Sequence, residues 1–191
     1  MSNHEISRFP VPDINSLPDD LKEIILTVQE KAGFIPNVFL SLAHRPDELR
    51  AFWAYHEALM QRDSGLSKAE REMIVVATSA ANNCLYCVVA HGAILRIYEK
   101  SAQISEQIAT NFRKADITDR QKAMLSFAEK VAFQSGRITQ DDFDALYPHG
   151  FCDEDIWDIG AITALFALSN RMASLTEMRP NAEFYTMGRS F

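Results

Sequence analysis

The sequence predicts an all-α protein, on three observations. Apolar residues recur at helical spacing along most of the chain, and helix-start signals precede several of these stretches. No segment alternates apolar and polar residues between turn signals, as a half-buried strand would. The expected form is a compact multi-helix bundle. With 191 residues, 47% of them apolar and 24% charged, the chain can bury a core that needs neither disulfides nor metal to hold it.

In order along the chain, MSNHEISRFPVPDINSLP is polar and interrupted by proline, so 1–18 reads as an extended arm and not as a signal segment. Helices are then expected over about 19–32, 36–43, 46–62, 67–82, 84–98, 102–113, 119–135, 140–147 and 153–175. Pro36, Pro46 and Pro148 stand at or near helix edges, where a residue without an amide proton is tolerated. Ser67 with Glu70, and Thr118 with Gln121, fit the reciprocal capping box that satisfies two orphan amides. Asp153 and Asp155 put negative charge at the head of the last long helix, where the helix dipole favours it. The whole chain, 1–191, reads as a single all-helical domain, with a catalytic half over about 46–113 and a second helical half over about 118–177. Sliding 67–81 onto 118–132 superposes the capping residue and three apolar positions, Met73 on Met124, Ala77 on Ala128 and Ala81 on Ala132. Shared amphipathicity explains such a match as readily as duplication does. Glu72 falls on Ala123, so any active site belongs to the first half.

Charge excludes some partners. The net charge is −7, and the densest charge runs, SKAERE at 67–72 and TQDDFD at 139–144, are mixed or acidic. Nucleic acid and anionic lipid are therefore not expected partners. The longest apolar stretch, IGAITALFAL at 159–168, is about half a membrane span. Three cysteines close no extracellular framework, and a cytoplasmic location is expected.

The chemistry concentrates in NNCLYCVVAHGA, residues 82–93. If a helix starts near Cys84, then Cys84, Cys87 and His91 share one face. Residues three apart can close a disulfide and reopen it without refolding, which suits a redox cycle. Amides at a helix N-terminus stabilise a thiolate, and a histidine four residues on can take the proton. Cys87 lies one turn from His91 and Cys84 two, so Cys87 is the expected nucleophile and Cys84 its resolving partner. Glu72 interrupts the buried-looking EMIVVATSAA. With the two helices folded back at Asn82-Asn83, Glu72 lies about 15 Å and His91 about 11 Å from the turn, a difference a glutamate side chain spans. Such a carboxylate would orient the imidazole and raise its basicity. Other uses of the cluster stay open. Cys84, Cys87, His91 and a remote Cys152 are a poor but conceivable zinc set, and inert packed thiols are a further reading. Haem attachment fails because Val88, not histidine, follows the second cysteine.

Glu72, eleven residues, Cys84, two residues, Cys87, three residues, His91 resembles the active-site signature of the alkylhydroperoxidase D family, within the carboxymuconolactone decarboxylase-like superfamily. The wording GLSKAEREMIVVATSAANNCLYCVVAHGA is similar to its peroxidase-related branch, and a weaker likeness runs through ALSNRMA to RPNAEFY. The resemblance implies an all-helical homo-oligomer that reduces hydroperoxides through the cysteine pair at a helix N-terminus, with Glu72 and His91 as proton relay. It implies no metal or organic cofactor, and recharging by an external dithiol or redox protein of lipoyl or peroxiredoxin type. Two departures stand out: Tyr86 replaces a histidine that the best-known members carry between the cysteines, and Ala90 precedes a single His91 where branch relatives often have paired histidines. The functional expectation is a thiol-dependent hydroperoxide reductase. A general thiol–disulfide relay and a non-enzymatic metal-binding or interaction module are the alternatives. Among the remaining residues, Cys152 reads as a helix-start or core residue, His56 as a packed histidine able to line the pocket, and Trp53, Phe52 and Trp157 as core or interface aromatics. Asn170 and Arg171 end an apolar helix. Arg171 has three readings there: pairing with a buried carboxylate, crossing a subunit interface, or reaching solvent.

Overall fold

A computed structural model describes residues 6–190, and among them the regular structure is all helical: α1 (Asp19–Ala32), α2 (Asn37–Leu42), α3 (Pro46–Met60), α4 (Lys68–Ala81), α5 (Leu85–Glu99), α6 (Ile104–Asn111), α7 (Asp119–Gln134), α8 (Gln140–Asp144) and α9 (Asp153–Leu175). Residues 1–5 of the expected arm lie outside the described residues. The rest of the arm has no helix beyond a 3₁₀ turn at Ile14–Ser16. It lies along the end of α9, where the Arg8 amide donates to the Thr176 carbonyl and the Arg179 amide to the Ile6 carbonyl.

Helix α4 is central because its sequence leaves it no polar face. Met73, Ile74, Val75 and Val76 follow one another and are all fully buried, so the helix must be covered on every side. α5, α6, α7 and α9 supply the cover. The start of α4 is fixed as expected: the Glu70 amide donates to Ser67 Oγ at 3.0 Å, and the Ser67 amide donates to the Glu70 carboxylate at 2.9 Å. The other oxygen of Glu70 accepts from Arg120 of α7 at 2.9 Å. That guanidinium also lies 3.7 Å over the Phe151 ring and donates to the His149 carbonyl, tying the two halves of the chain together.

The turn from α4 to α5 runs through Asn83, whose φ of +55° is left-handed. Asparagine accepts that conformation at less cost than most residues. Two expected helices are shorter than the pattern suggested. The stretch 102–113 gives α6 and then a 3₁₀ turn at Phe112–Lys114, because the Asn111 side chain accepts the Arg113 amide and draws the chain inward. The stretch 140–147 gives only α8, and Pro148 sits in a separate 3₁₀ turn at Tyr147–His149.

The C-terminal tail was not read as structured, yet it closes the bundle. Asn181 accepts the Asn37 amide at 2.8 Å and donates to the Ile35 carbonyl at 2.9 Å. Buried Arg96 of α5 donates to the carbonyls of Phe184 and Met187 at 2.8 and 3.0 Å. These bonds press Phe184 into a small apolar cluster with Cys84, Cys87, Tyr86, Ala90 and Ala173. The cysteines thus sit between the main core around α4 and a second core built by α1, α2 and α3. No helix among the described residues is long and apolar enough to cross a membrane.

Candidate active site

Cys84 is the N-cap of α5 and Cys87 lies in its first turn. Both thiols are free, at 2% and 1% exposure. Burial in an apolar cluster would ordinarily suppress ionisation, but a polar seam from α4 and α9 runs beside the sulfurs. Asn82 Nδ2 donates to Asn170 Oδ1 at 2.9 Å, Asn170 Nδ2 donates to Ser79 Oγ at 2.9 Å, and Ser169 Oγ is 3.7 Å from Cys87 Sγ. A buried polar group carries a penalty unless it is bonded, and here Asn82, Asn170 and Ser79 satisfy one another while Ser169 faces Cys87.

The two sulfurs differ in acidity. The hydrogen bond from the Cys87 thiol draws Cys84 down to about 7; burial opposes this, and the Cys87 amide, the charge of His91 and the Asn170 amide assist it. Cys87, holding the proton of that same bond and almost wholly desolvated, is pushed well above the ordinary thiol value, with Ser169 and Asn170 only partly offsetting this. The first charge on the pair is favoured where a helix amide and a neighbouring S–H can both point at it, as they do at the cap position of Cys84.

His91 and Glu72 meet. The Nδ1 of His91 is 2.7 Å from Glu72 Oε2, and the two side chains are 14% and 7% exposed. The Phe166 ring of α9 stands edge-on to the imidazole at 4.7 Å and fixes its plane. With Nδ1 committed to the carboxylate, Nε2 is the nitrogen left for chemistry. Glu72, Cys87 and His91 all line one cavity of about 330 Å³, walled by residues such as Trp53, Phe166 and Tyr98, whereas Cys84 does not. A larger hollow of about 750 Å³ between α3 and α9 contains neither cysteine. Tyr86, which stands at the position of the missing histidine, accepts the Val38 amide at 3.0 Å, and burial pushes its phenol far above neutrality. It anchors α2 to α5.

The other singled-out residues separate clearly. Cys152 is exposed at the head of α9, and Arg171 bonds back to the Ala167 carbonyl of its own helix at 2.6 Å. Trp157 is 71% exposed. Among the described residues, no three His, Cys, Asp or Glu side chains are grouped as metal ligands. Ser169 and Asn170 reach the cysteine pair, a role the sequence reading did not give them. Their signal was available: two small polar residues inside the apolar run ALFALSN of a buried helix need partners.

This fold and this arrangement define a class of small helical proteins with a buried C-x-x-C pair. The carboxymuconolactone decarboxylase family matches residues 46–133. A peroxidase-related protein from Ralstonia eutropha, described as an alkylhydroperoxidase AhpD core, is 66% identical over 97% of each chain, with a TM-score of 0.96. A peroxidase-related protein from a Silicibacter species is 42% identical over 97% of each chain, with a TM-score of 0.91. The debrominase Bmp8, solved with a brominated pyrrole, is 20% identical over 91% of each chain with a TM-score of 0.77, and shares the fold. No curated protein matches the chain. The chain belongs to the alkylhydroperoxidase D-like, peroxidase-related proteins of the carboxymuconolactone decarboxylase family.

Proposed function

We propose that the protein is a thiol-dependent hydroperoxide reductase in which Cys84, Cys87, His91 and Glu72 carry the reaction. The observation behind this reading is the 2.7 Å contact between His91 Nδ1 and Glu72, on the cavity that Cys87 also lines. The pair loses one proton to His91, whose imidazolium Glu72 stabilises. The remaining proton is shared between the sulfurs. When it sits on Cys84, the thiolate is on Cys87, the sulfur that lines the cavity.

That thiolate attacks the terminal oxygen of a hydroperoxide. A sulfur–oxygen bond forms, the O–O bond breaks, and the departing alkoxide takes a proton to leave as the alcohol, so that Cys87 becomes a sulfenic acid. The Cys84 thiolate then attacks the Cys87 sulfur and hydroxide leaves with a proton as water, closing the disulfide. An external dithiol reopens it by exchange, itself becoming a disulfide. Burial of both sulfurs to 2% or less favours a small oxidant over a protein disulfide. The exposed residues Trp157, Leu168 and Leu175 share one face of α9 and support assembly as a homo-oligomer, which sedimentation would test. A cytoplasmic, reducing setting fits a pair that must be recharged.

Pre-reduced protein mixed with one equivalent of cumene hydroperoxide should yield one disulfide and one equivalent of alcohol. Cys87→Ser should yield neither, and Cys84→Ser should stall as a sulfenic acid trapped by dimedone. Hydroperoxide left intact by the wild-type protein, or consumed at the full rate by Cys87→Ser, would refute the reading.

A further inference from the structure

A second imidazole faces the same cavity. His56 of α3 stacks on Trp53 at 5.0 Å with the planes 13° apart, and Phe166 stands edge-on to it at 6.3 Å. Phe166 is the ring that also abuts His91, so a single phenyl group separates the two histidines. The side chain of His56 is 16% exposed, and its Nδ1 is buried with no hydrogen-bond partner among the described residues; the nearest carboxylate oxygen, on Glu57, is 3.5 Å away. The arrangement echoes His91 with Glu72: in both, Nδ1 turns toward a carboxylate. Buried polar atoms without a partner are exceptions, and one on a side chain that lines the cavity of Cys87 calls for a chemical reason. If packing were all that the site required, phenylalanine would serve better.

We infer that His56 is a catalytic residue of the hydroperoxide reaction, the acid that protonates the departing alkoxide. The inference rests on the proposed reductase reading. Displacement at oxygen is in line, so the attacking sulfur and the leaving oxygen lie on opposite sides of the oxygen under attack. His91 shares a helix with Cys87, one turn on, and stands on the sulfur's side of the substrate. The leaving oxygen points across the cavity, where α3 presents His56. The balance closes: His91 takes the proton of the cysteine pair, His56 gives one to RO⁻ to form ROH, and both are reset through solvent. Besides the two histidines, the ionisable groups on the cavity wall are Lys31, Glu57, Glu72, Tyr86, Cys87 and Tyr98. Of these, Glu72 is bonded to His91, Lys31 is exposed at the end of α1, and burial holds the Tyr98 phenol above its usual value. His56 also supplies the second proton carrier that Tyr86 cannot.

The test compares leaving groups. Single-turnover oxidation of pre-reduced protein is measured at fixed pH with cumene hydroperoxide and with peroxyacetic acid, for the wild type, His56→Phe and His56→Gln. Phenylalanine keeps the stack on Trp53, and glutamine keeps a polar group but cannot transfer a proton. In both variants the cumene hydroperoxide rate should fall about 100-fold, the lower end of what a positioned general acid supplies. The peroxyacetic acid rate should fall by less than about threefold, because its leaving group is a carboxylate, a far weaker base than an alkoxide, and departs without a proton. Thiol alkylation should proceed at the wild-type rate, which also reports that the variants are folded. Equal losses with both oxidants, or no loss with either, would overturn the assignment of His56. A wild-type protein inert to cumene hydroperoxide would instead overturn the reductase reading, and this inference with it.

Discussion

Helices α4 and α7 follow one plan and serve different ends. Each opens on a reciprocal capping box, Ser67 with Glu70 and Thr118 with Gln121. Each then buries a methionine and an alanine one turn apart, Met73 and Ala77 in one, Met124 and Ala128 in the other, and both pack on α9. They diverge where the plan is broken. Glu72 occupies a buried place in α4 and meets His91, whereas α7 has Ala123 at the equivalent step, packed against the core. After α4 the chain turns sharply into a helix headed by two thiols. After α7 it relaxes through a 3₁₀ turn at Ser135–Arg137 into the short α8. Caps and apolar spacing build both helices. The polar residues that violate the spacing build the site in only one of them.

The largest contrast should come from the cysteines. Cys87→Ser is expected to abolish hydroperoxide turnover, while Cys152→Ser, which removes an exposed thiol at the head of α9, should leave the rate within about twofold, since surface changes away from a site are usually near neutral. Stopped-flow consumption of cumene hydroperoxide checks both. Next comes Glu72→Gln, which keeps the shape but removes the charge beside His91; turnover should fall about 100-fold, the scale of a disabled acid–base partner. Asn170→Ala removes an amide that favours the thiolates of both cysteines. Alkylation by iodoacetamide at pH 7 should slow about tenfold, matching the loss of one hydrogen bond to a charged group. Smallest are the caps. Ser67→Ala and Thr118→Ala should each cost about 1 kcal/mol in urea unfolding of the reduced protein, with little change in the chemistry per folded molecule. If Thr118→Ala slowed thiol alkylation per folded molecule, the separation between the two helices would not hold.

Much of this was legible in the residues. The capping boxes fixed two helix starts because their partners are local, three residues apart. The rise per residue on two helices joined by a tight turn permits the Glu72–His91 contact, and the structure makes it. What escaped depends on contacts between segments far apart in the chain. Phe184 reaches the cysteine cluster only because Arg96 and Asn181 hold a tail without regular structure, and no periodicity announces such a segment. His56 reads from the sequence as a packed histidine able to line the pocket, and it is both; that its Nδ1 lacks a partner among the described residues is visible only once α3 is packed. The acidity of the pair is not legible in the sequence for a different reason: the cap position of Cys84 and the desolvation of Cys87 are properties of the folded helix end.

The central claim is that the pair holds one readily lost proton and one strongly retained. Because the first thiol is acidified, the thiolate fraction, and the rate with it, should rise as pH increases through about 7 and fall away below it. Thiolate absorbance near 240 nm, followed against pH on the reduced Cys152→Ser protein, measures this directly. The account predicts one thiolate per chain appearing around pH 7 and the second absent well past the ordinary thiol range near 8.5. Two thiols titrating together near that ordinary value would contradict it.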